Sequence, residues 1–309
     1  MENLKESGYI NVDRHVGFDL DTGELILKDL AAFHAVPLAL KLKKPEVFDE
    51  KVRPYLTKFT PPDPPANGEN GQTMDSIVIE MLQESDKCIP HVSKVRALLK
   101  RTKEIRMIPP NEPFATVVHG DMWVNNTMVK FVNGKPVKNK LVDFQVCDYG
   151  SPATDLFFFL FSSIRLRVLQ DHFDDLVKFY HNHFISHLDK LGCDIAPFNY
   201  HNFLEEMRFA TENELQHSLI MTLFIVFGKK GGPSQEFNHE EPLDLEKMKR
   251  EMTLEAKEKI RFMVQVCGKK GFLTHRITNA CNLFTIQKTS KKTSSNLAMN
   301  ERDGNSGNV

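Results

Sequence analysis

The fold is decided by the stretch His119–Leu156, which reads HGDMWVNNTMVKFVNGKPVKNKLVDFQVCDYGSPATDL. An HGD tripeptide opens it, and Asn126 follows Asp121 after four intervening residues. Short strand-like runs separated by a turn come next, and the stretch closes with PATDL at the start of a strongly apolar segment. Because the long segments on either side have helical spacing, the sequence predicts an α+β fold that is mostly helical, with one small central β-hairpin.

The central hairpin is predicted from two short strands, Thr127–Val132 and Lys140–Phe144. They are joined through Asn133-Gly134, a dipeptide that favours the tight turn in which both central residues have positive φ. A further short buried strand is predicted at Phe114–Val118, just before the HGD tripeptide. Since the second hairpin strand would end in Asp143-Phe144-Gln145, the hairpin should bring Asp143 back to the HGD loop.

Helical spacing predicts most of the remaining structure. Leu25–Leu42 should form a helix that Pro37 bends or splits, because proline lacks an amide hydrogen and clashes with the preceding turn. His34 lies on the apolar side of this helix and is expected to be a core histidine bonded to the backbone. Further helices are predicted at Ser76–Leu82, Val92–Met107, from Asp155 onward, and at His172–Leu191, Phe203–Phe227 and Leu243–Val266. Loops are predicted at Phe59–Thr73 and Gly228–Pro242, and Met1–Asp21 is expected to be irregular.

Composition excludes several classes of protein. The formal net charge of −1 over 309 residues implies no attraction to nucleic acid or anionic membranes, and no apolar run is long enough for a membrane span. The N-terminus lacks the basic and apolar regions of a signal peptide. Five scattered cysteines without a CxxC pair are typical of reduced thiols, so a cytoplasmic protein is expected. The polar residues 288–309 are predicted to be disordered.

The spacing of Asp121 and Asn126 is that of a protein-kinase catalytic loop, which a hairpin likewise connects to an Asp-Phe-Gly. Phosphoryl transfer needs a carboxylate to orient the attacking hydroxyl and accept its proton. It also needs two oxygen-bearing side chains to hold Mg²⁺ against the phosphates. The sequence therefore predicts Asp121 as the catalytic base, and Asn126 and Asp143 as the ligands of a nucleotide-bound Mg²⁺.

The residues around these three have expected supporting roles. His119 and Gly120 should shape the catalytic loop, and Asp155 should brace its backbone from the start of the following helix. Trp123 is interpreted as a packing residue rather than a substrate contact.

Taken together, the HGD with a Trp two residues on, the Asn pair, the DFQ and the PATDL resemble the ecdysteroid kinase-like family. That family lies in the aminoglycoside phosphotransferase and choline kinase group of the protein kinase-like superfamily. The resemblance implies the C-terminal, catalytic lobe of a kinase-like fold, ATP and Mg²⁺ as cofactors, and phosphorylation of a small-molecule alcohol such as an ecdysteroid. Choline kinases usually carry Asn where this chain has Gly120, so a choline- or aminoglycoside-type kinase is the second choice.

The same resemblance suggests a division of the chain. Met1–Leu4 is similar to the hinge between kinase lobes, where Glu2 and Asn3 would hold adenine through backbone groups, and LAAFHA at Leu30–Ala35 is similar to the helix after it. We therefore expect residues 1–4 to be a hinge remnant, residues 5–287 the large lobe and residues 288–309 a tail. The small lobe that precedes the hinge in this family would be missing, which would impair ATP binding.

Two other functions stay open at this point. The chain could be a non-catalytic binding protein that keeps the acceptor pocket of such a kinase. It could also be a metal-dependent phosphohydrolase using Asp121 and Asp143, although such enzymes usually bring further His or Asp ligands. The sequence leaves the acceptor and the oligomeric state undetermined.

Overall fold

Apolar residues at helical spacing form most of the structure, as the sequence predicts. The computed structural model describes residues 2–56, 73–101, 104, 108–227 and 245–274. Its α-helices are α1 (Leu20–Lys43), α2 (Pro45–Lys51), α3 (Met74–Gln83), α4 (Ile89–Lys100), α5 (Pro152–Ser163), α6 (Leu166–Lys190), α7 (Tyr200–Phe227), α8 (Leu245–Glu251) and α9 (Leu254–Lys269). Its strands are β1 (Tyr9–Ile10), β2 (Thr116–Val118), β3 (Thr127–Val132), β4 (Lys135–Leu141) and β5 (Asp148–Gly150). The fold class is α+β and mostly helical.

Helix α1 begins earlier than its apolar pattern predicts. Asp19 caps it by accepting a hydrogen bond from Thr22 N at 3.0 Å, which satisfies one of the free amides of the first turn. The helix continues through Pro37, so of the two predicted effects of proline the split is absent, and the bend stays a prediction. Ala35, Leu38 and Ala39 are buried on both sides of Pro37, and the helix packs along α6. We attribute its continuity to this packing, which outweighs one lost backbone hydrogen bond.

The last predicted helix, Leu243–Val266, is two helices in the structure. Helices α8 and α9 are separated at Met252 and Thr253, and Thr253 accepts a hydrogen bond from Ala256 N at 3.2 Å as the cap of α9. Thr253, which lies within one continuous helical pattern, therefore acts as the N-cap at which a new helix begins. Helix α4 spans Ile89–Lys100, and most of the predicted continuation to Met107 lies outside the described residues.

Two small antiparallel sheets lie among the helices, one in the order β1-β3-β4 and one made of β2 and β5. The Asn133-Gly134 turn is confirmed, with φ values of 53° and 75°. The predicted second hairpin strand, Lys140–Phe144, was wrong in its bounds, because β4 spans Lys135–Leu141 and ends before Asp143. Much of β4 is exposed, so it lacks the apolar alternation from which a strand is recognised. Strand β1 lies in a segment expected to be irregular.

Helix α5 is the centre of the core. Nearly all of its residues are buried, including the aromatic run from Phe157 to Phe159, and it packs against α7. A helix that is apolar on all sides is typical of such a central position. The β2 strand and the loop after it contact the first turns of α5, so the HGD segment is held against the most rigid part of the molecule.

Residues 1–273 form one compact unit, and a second unit of residues 274–309 lies almost wholly outside the described part of the chain. The predicted loops at residues 59–72 and 228–242 and the predicted tail at residues 288–309 also lie outside the described residues. Within the ranges that are described, no helix is both long and apolar enough to cross a membrane. The boundaries at residues 4 and 287 stay predictions.

Candidate active site

The HGD loop leaves β2 and reaches β3 through a short 3-10 turn at Val124–Asn126. Gly120 has a φ of 79°, a conformation that residues with a side chain rarely adopt. A Cβ atom at this position would lie 2.5 Å from the carbonyl oxygen of Val146. The loop can therefore turn back on itself only because residue 120 is glycine.

Gly120→Ala is expected to destabilise the protein by about 2–4 kcal/mol, since it adds a backbone clash to the strain of a left-handed residue. Gly134→Ala is the matched control, because Gly134 has a similar φ of 75° and no atom within 4 Å of an added Cβ. That control should lose only about 1 kcal/mol. Urea denaturation of both variants measures the difference, and equal losses would mean that Val146 moves aside freely.

Asp155 fixes the backbone of the loop from the first turn of α5. Its Oδ2 accepts a hydrogen bond from His119 N at 2.6 Å, and its Oδ1 accepts one from Gly120 N at 2.9 Å. His34 Nε2 lies 2.9 Å from Oδ2 as a third partner. Burial would raise the pKa of Asp155, but the hydrogen bond and charge of His34, with the contribution of His119, hold it below its usual value. The predicted contact between Asp155 and the loop backbone is present.

His34 is fully buried, as expected, but its partners differ from the prediction. Its Nδ1 lies 2.6 Å from the hydroxyl of Tyr180 on α6, and its Nε2 contacts Asp155. The predicted bond to the backbone was wrong, because at this position α1 meets two polar side chains, Tyr180 of α6 and Asp155 at the start of α5. Tyr180, His34 and Asp155 form a buried hydrogen-bonded chain that ends on the loop.

Asp121 and Asn126 are joined directly. Asn126 Nδ2 donates to the backbone oxygen of Asp121 and to its carboxylate Oδ2, both at 2.8 Å. Burial raises the pKa of Asp121 above its ordinary value, and the charge of Asp143 adds to this effect. His217, the Asn126 hydrogen bond and His119 act in the opposite direction. The geometry gives Asp121 a fixed orientation and a greater affinity for a proton than an exposed aspartate has.

Asp143 follows β4 in a left-handed conformation, with a φ of 66°, and its side chain is exposed. The next residue, Phe144, has its ring 5.3 Å from that of His119 and 5.8 Å from that of Phe33, which anchors this segment beside the loop. The two carboxylates of Asp143 and Asp121 are close enough for one charge to affect the pKa of the other.

The donor set fits a magnesium ion. Asn126 uses Nδ2 for its hydrogen bonds, which leaves Oδ1 able to contact a metal, and Asp143 has an exposed carboxylate. Among the described residues no group of three or more His, Cys, Asp or Glu side chains is placed to hold an ion. In nucleotide sites Mg²⁺ is usually held by one or two protein oxygens, and phosphate oxygens and water complete its coordination.

Glu2 and Asn3 lie in a local turn at the N-terminus. Both are exposed, and Glu2 Oε1 and the backbone oxygen of Asn3 accept hydrogen bonds from Ser7 at 3.0 and 3.1 Å. Residues 2–4 are not in a strand, and Met1 lies outside the described residues. The adenine-binding role of Glu2 and Asn3 stays a prediction.

Sequence reasoning missed two residues of the site, Tyr180 and His217. Both are on helices after α5, where a polar residue on a helical pattern gives no sign of what it contacts. Trp123, in contrast, is half-buried and packs against the core, in agreement with its interpretation as a packing residue.

The profile of the ecdysteroid kinase-like family matches residues 1–193, more than half of the chain. The chain belongs to the ecdysteroid kinase-like family. Its matched part contains the HGD loop, Asn126, Asp143 and Asp155, whereas α7 begins beyond it at Tyr200. A search among curated proteins found no match to the chain.

Membership of this family indicates a kinase-like fold and a kinase-type phosphotransferase. The loop carries side chains of the kinds that this class uses, because a carboxylate and an amide are hydrogen-bonded on one turn and a second carboxylate, Asp143, follows the hairpin. These are the side chains that phosphoryl transfer requires.

Proposed function

We propose that the protein is an ATP-dependent phosphotransferase that phosphorylates a hydroxyl group of a small molecule, an ecdysteroid or a similar hydrophobic alcohol. The observation that carries this proposal is the pairing of Asp121 with Asn126 beside Asp143. The substrate class comes from the family to which the chain belongs.

In this reaction Asp121 accepts the proton of the acceptor hydroxyl. The hydroxyl oxygen forms a bond to the γ-phosphorus as the bond from that phosphorus to the β–γ bridging oxygen breaks, and ADP leaves with that electron pair. The raised pKa of Asp121 suits this role, since a base is most effective when its pKa lies near the working pH. The proton then passes from Asp121 to water.

Asn126 and Asp143 would hold the Mg²⁺ ion, which neutralises charge on the phosphates when it is bound. The hydrogen bonds from Asn126 to Asp121 would also tie the metal ligand to the base, so that both keep one relative position. Asp155 would act at a distance, by holding the backbone of His119 and Gly120.

Asp143→Ala is expected to abolish metal binding that depends on nucleotide, because it removes the only acidic ligand proposed here. Mn²⁺ binding with and without ATP, followed by electron paramagnetic resonance, measures the effect. Asp171→Ala is the control, since Asp171 is an exposed residue of α6 paired with Arg167. If the protein binds metal tightly without nucleotide, and Asp143→Ala does not weaken that binding, the kinase function is contradicted. Such a result would favour a metal-dependent phosphohydrolase.

The function itself is tested by incubating the protein with ATP, Mg²⁺ and a panel of acceptors, with detection of the phosphorylated product by mass spectrometry. The panel contains ecdysone, 20-hydroxyecdysone, choline and an aminoglycoside. The assay is run on the chain alone and on the chain fused behind the small lobe of a family member, because the hinge is predicted at residues 1–4. Phosphorylated ecdysteroid supports the proposal, and a choline or aminoglycoside product assigns the alternative kinase type. Binding of an acceptor without transfer in either form indicates a non-catalytic binding protein.

A further inference from the structure

His217 lies near the HGD loop although it is more than ninety residues from Asp121 in the chain. It belongs to α7, beyond the part of the chain that matches the family. Its ring stacks on Phe158 of α5, one helical turn from Asp155, whose carboxylate accepts the hydrogen bond of Gly120 N in the loop. Burial raises the pKa of Asp121, and of the influences that lower it the charge of His217 is the strongest. Neither the family match nor the proposed chemistry assigns this residue a role.

Two neighbours fix the His217 ring in place. Its Nδ1 lies 3.0 Å from the carboxylate Oε2 of Glu214, to which it donates a hydrogen bond. One face of the ring stacks on Phe158 of α5, with a centroid distance of 4.3 Å and an interplanar angle of 19°. Phe158 is almost completely buried, so the ring rests on the rigid core. Such support is what a residue needs to hold a ligand in one orientation.

The other nitrogen of the ring is available to a ligand. Nε2 makes no hydrogen bond within the described part of the chain, and about a third of the side chain is exposed. With Nδ1 bound to Glu214, Nε2 can exchange a hydrogen bond only with something outside these residues.

A half-buried apolar stripe continues from His217 along α7. Ile220, Met221 and Phe224 follow at helical spacing, so they share the face of the helix that carries His217. Half-buried residues on one face leave apolar surface on which a flat, hydrophobic molecule can lie. The polar end of this face is at His217, which stacks on Phe158 one turn after Asp155.

Building on the proposed function, we propose that His217 determines which alcohol is phosphorylated. Its Nε2 hydrogen-bonds a second oxygen of the acceptor while Asp121 takes the reacting hydroxyl, and the apolar body of the acceptor lies along Ile220 and Met221. The preferred acceptor is therefore a neutral, rigid, apolar molecule with at least two hydroxyl groups close together. The carboxylates of Asp121 and Glu214 disfavour an anionic acceptor by like-charge repulsion.

Substitutions at His217 separate this role from simple packing. His217→Phe keeps a ring on Phe158 but removes both nitrogens, whereas a Gln amide reaches the position of Nε2 and an Asn amide only that of Nδ1. We expect His217→Phe and His217→Asn to weaken binding of 20-hydroxyecdysone by about tenfold, the usual worth of one hydrogen bond. His217→Gln should stay within about threefold of the wild type. His201→Phe, an exposed site on the same helix, is the control and should change nothing.

The measurement is isothermal titration calorimetry of the full chain with 20-hydroxyecdysone in the absence of nucleotide, repeated with a monohydroxy steroid. For the monohydroxy compound, His217→Phe should change the dissociation constant less than twofold, because the second oxygen is missing. In the phosphorylation assay the KM for the polyol should rise while the KM for ATP stays constant.

The outcomes distinguish this inference from the function on which it rests. If His217→Phe leaves both the binding and the phosphorylation of 20-hydroxyecdysone unchanged, the proposed role of His217 is wrong. The proposed kinase function is not affected by that result. Equal losses for both steroids, or a raised KM for ATP, would show that His217 only supports the fold. If the wild type neither binds nor phosphorylates any panel compound, both the inference and the proposed function fail.

Discussion

Asp121→Asn is expected to lower the turnover of the proposed kinase by about 10²–10⁴-fold, the usual contribution of a positioned general base. The amide has nearly the shape of the carboxylate but cannot accept the proton of the acceptor hydroxyl. Nucleotide and acceptor binding should change little, so the loss appears in kcat. Steady-state kinetics with the acceptor found in the panel measures the effect.

The fold of this variant should be preserved. Burial raises the pKa of Asp121 in the folded protein, so its ionised form opposes folding once the pH rises through that pKa. Replacing it with Asn removes this effect, and thermal unfolding at neutral pH should show equal or greater stability. For the same reason, the acid side of the wild-type pH–rate profile should lie at higher pH than for an ordinary aspartate. Turnover within a few-fold of the wild type would remove Asp121 from the role of base.

Asp155→Ala is expected to give the largest loss of stability, about 3–5 kcal/mol, because it leaves buried partners without their acceptor. His119 N, Gly120 N and His34 Nε2 all point at this carboxylate, and only 3% of the residue is exposed. Asp155→Asn keeps one acceptor oxygen and should lose less. Asp189→Ala, at an exposed position of α6, is the control and should stay within about 0.5 kcal/mol. Chemical denaturation gives the free energies of unfolding.

The stabilisation by Asp155 should depend on pH. Its pKa is lower in the folded protein than in the unfolded chain, so the contribution is present above the unfolded pKa and is lost as the pH falls through the folded pKa. The wild type and Asp155→Ala should therefore converge in stability in acid. A constant difference across that range would mean that the carboxylate contributes only through its shape.

The sequence could predict the geometry of the HGD loop because its contacts are local. Asp121 and Asn126 lie on one turn, and the hairpin that returns to Asp143 is specified by the Asn133-Gly134 dipeptide. The contact of Asp155 with the loop was also predictable, since it follows from the order of motifs. Residues that contact each other over a short distance in sequence leave a spacing pattern that can be recognised.

The rest could not be predicted because it depends on how helices pack. The partners of His34 depend on the packing of α1 along α6 and on the position of the first turn of α5, which bring Tyr180 and Asp155 to it. His217 comes near the loop only because α7 packs on α5 and places its ring on Phe158, and its spacing along α7 is that of any core helix. The exposed strand β4 has no apolar alternation, so its end was misplaced beyond Asp143.

Trp123 is the single tryptophan of the chain and stands two residues after Asp121. Its half-buried indole packs against the core, and its backbone is part of the HGD loop. Fluorescence excited selectively in tryptophan therefore originates at one known position, inside the region where chemistry is proposed. The protein carries a built-in optical reporter, and titrations with nucleotide or acceptor can be followed from its emission without any label.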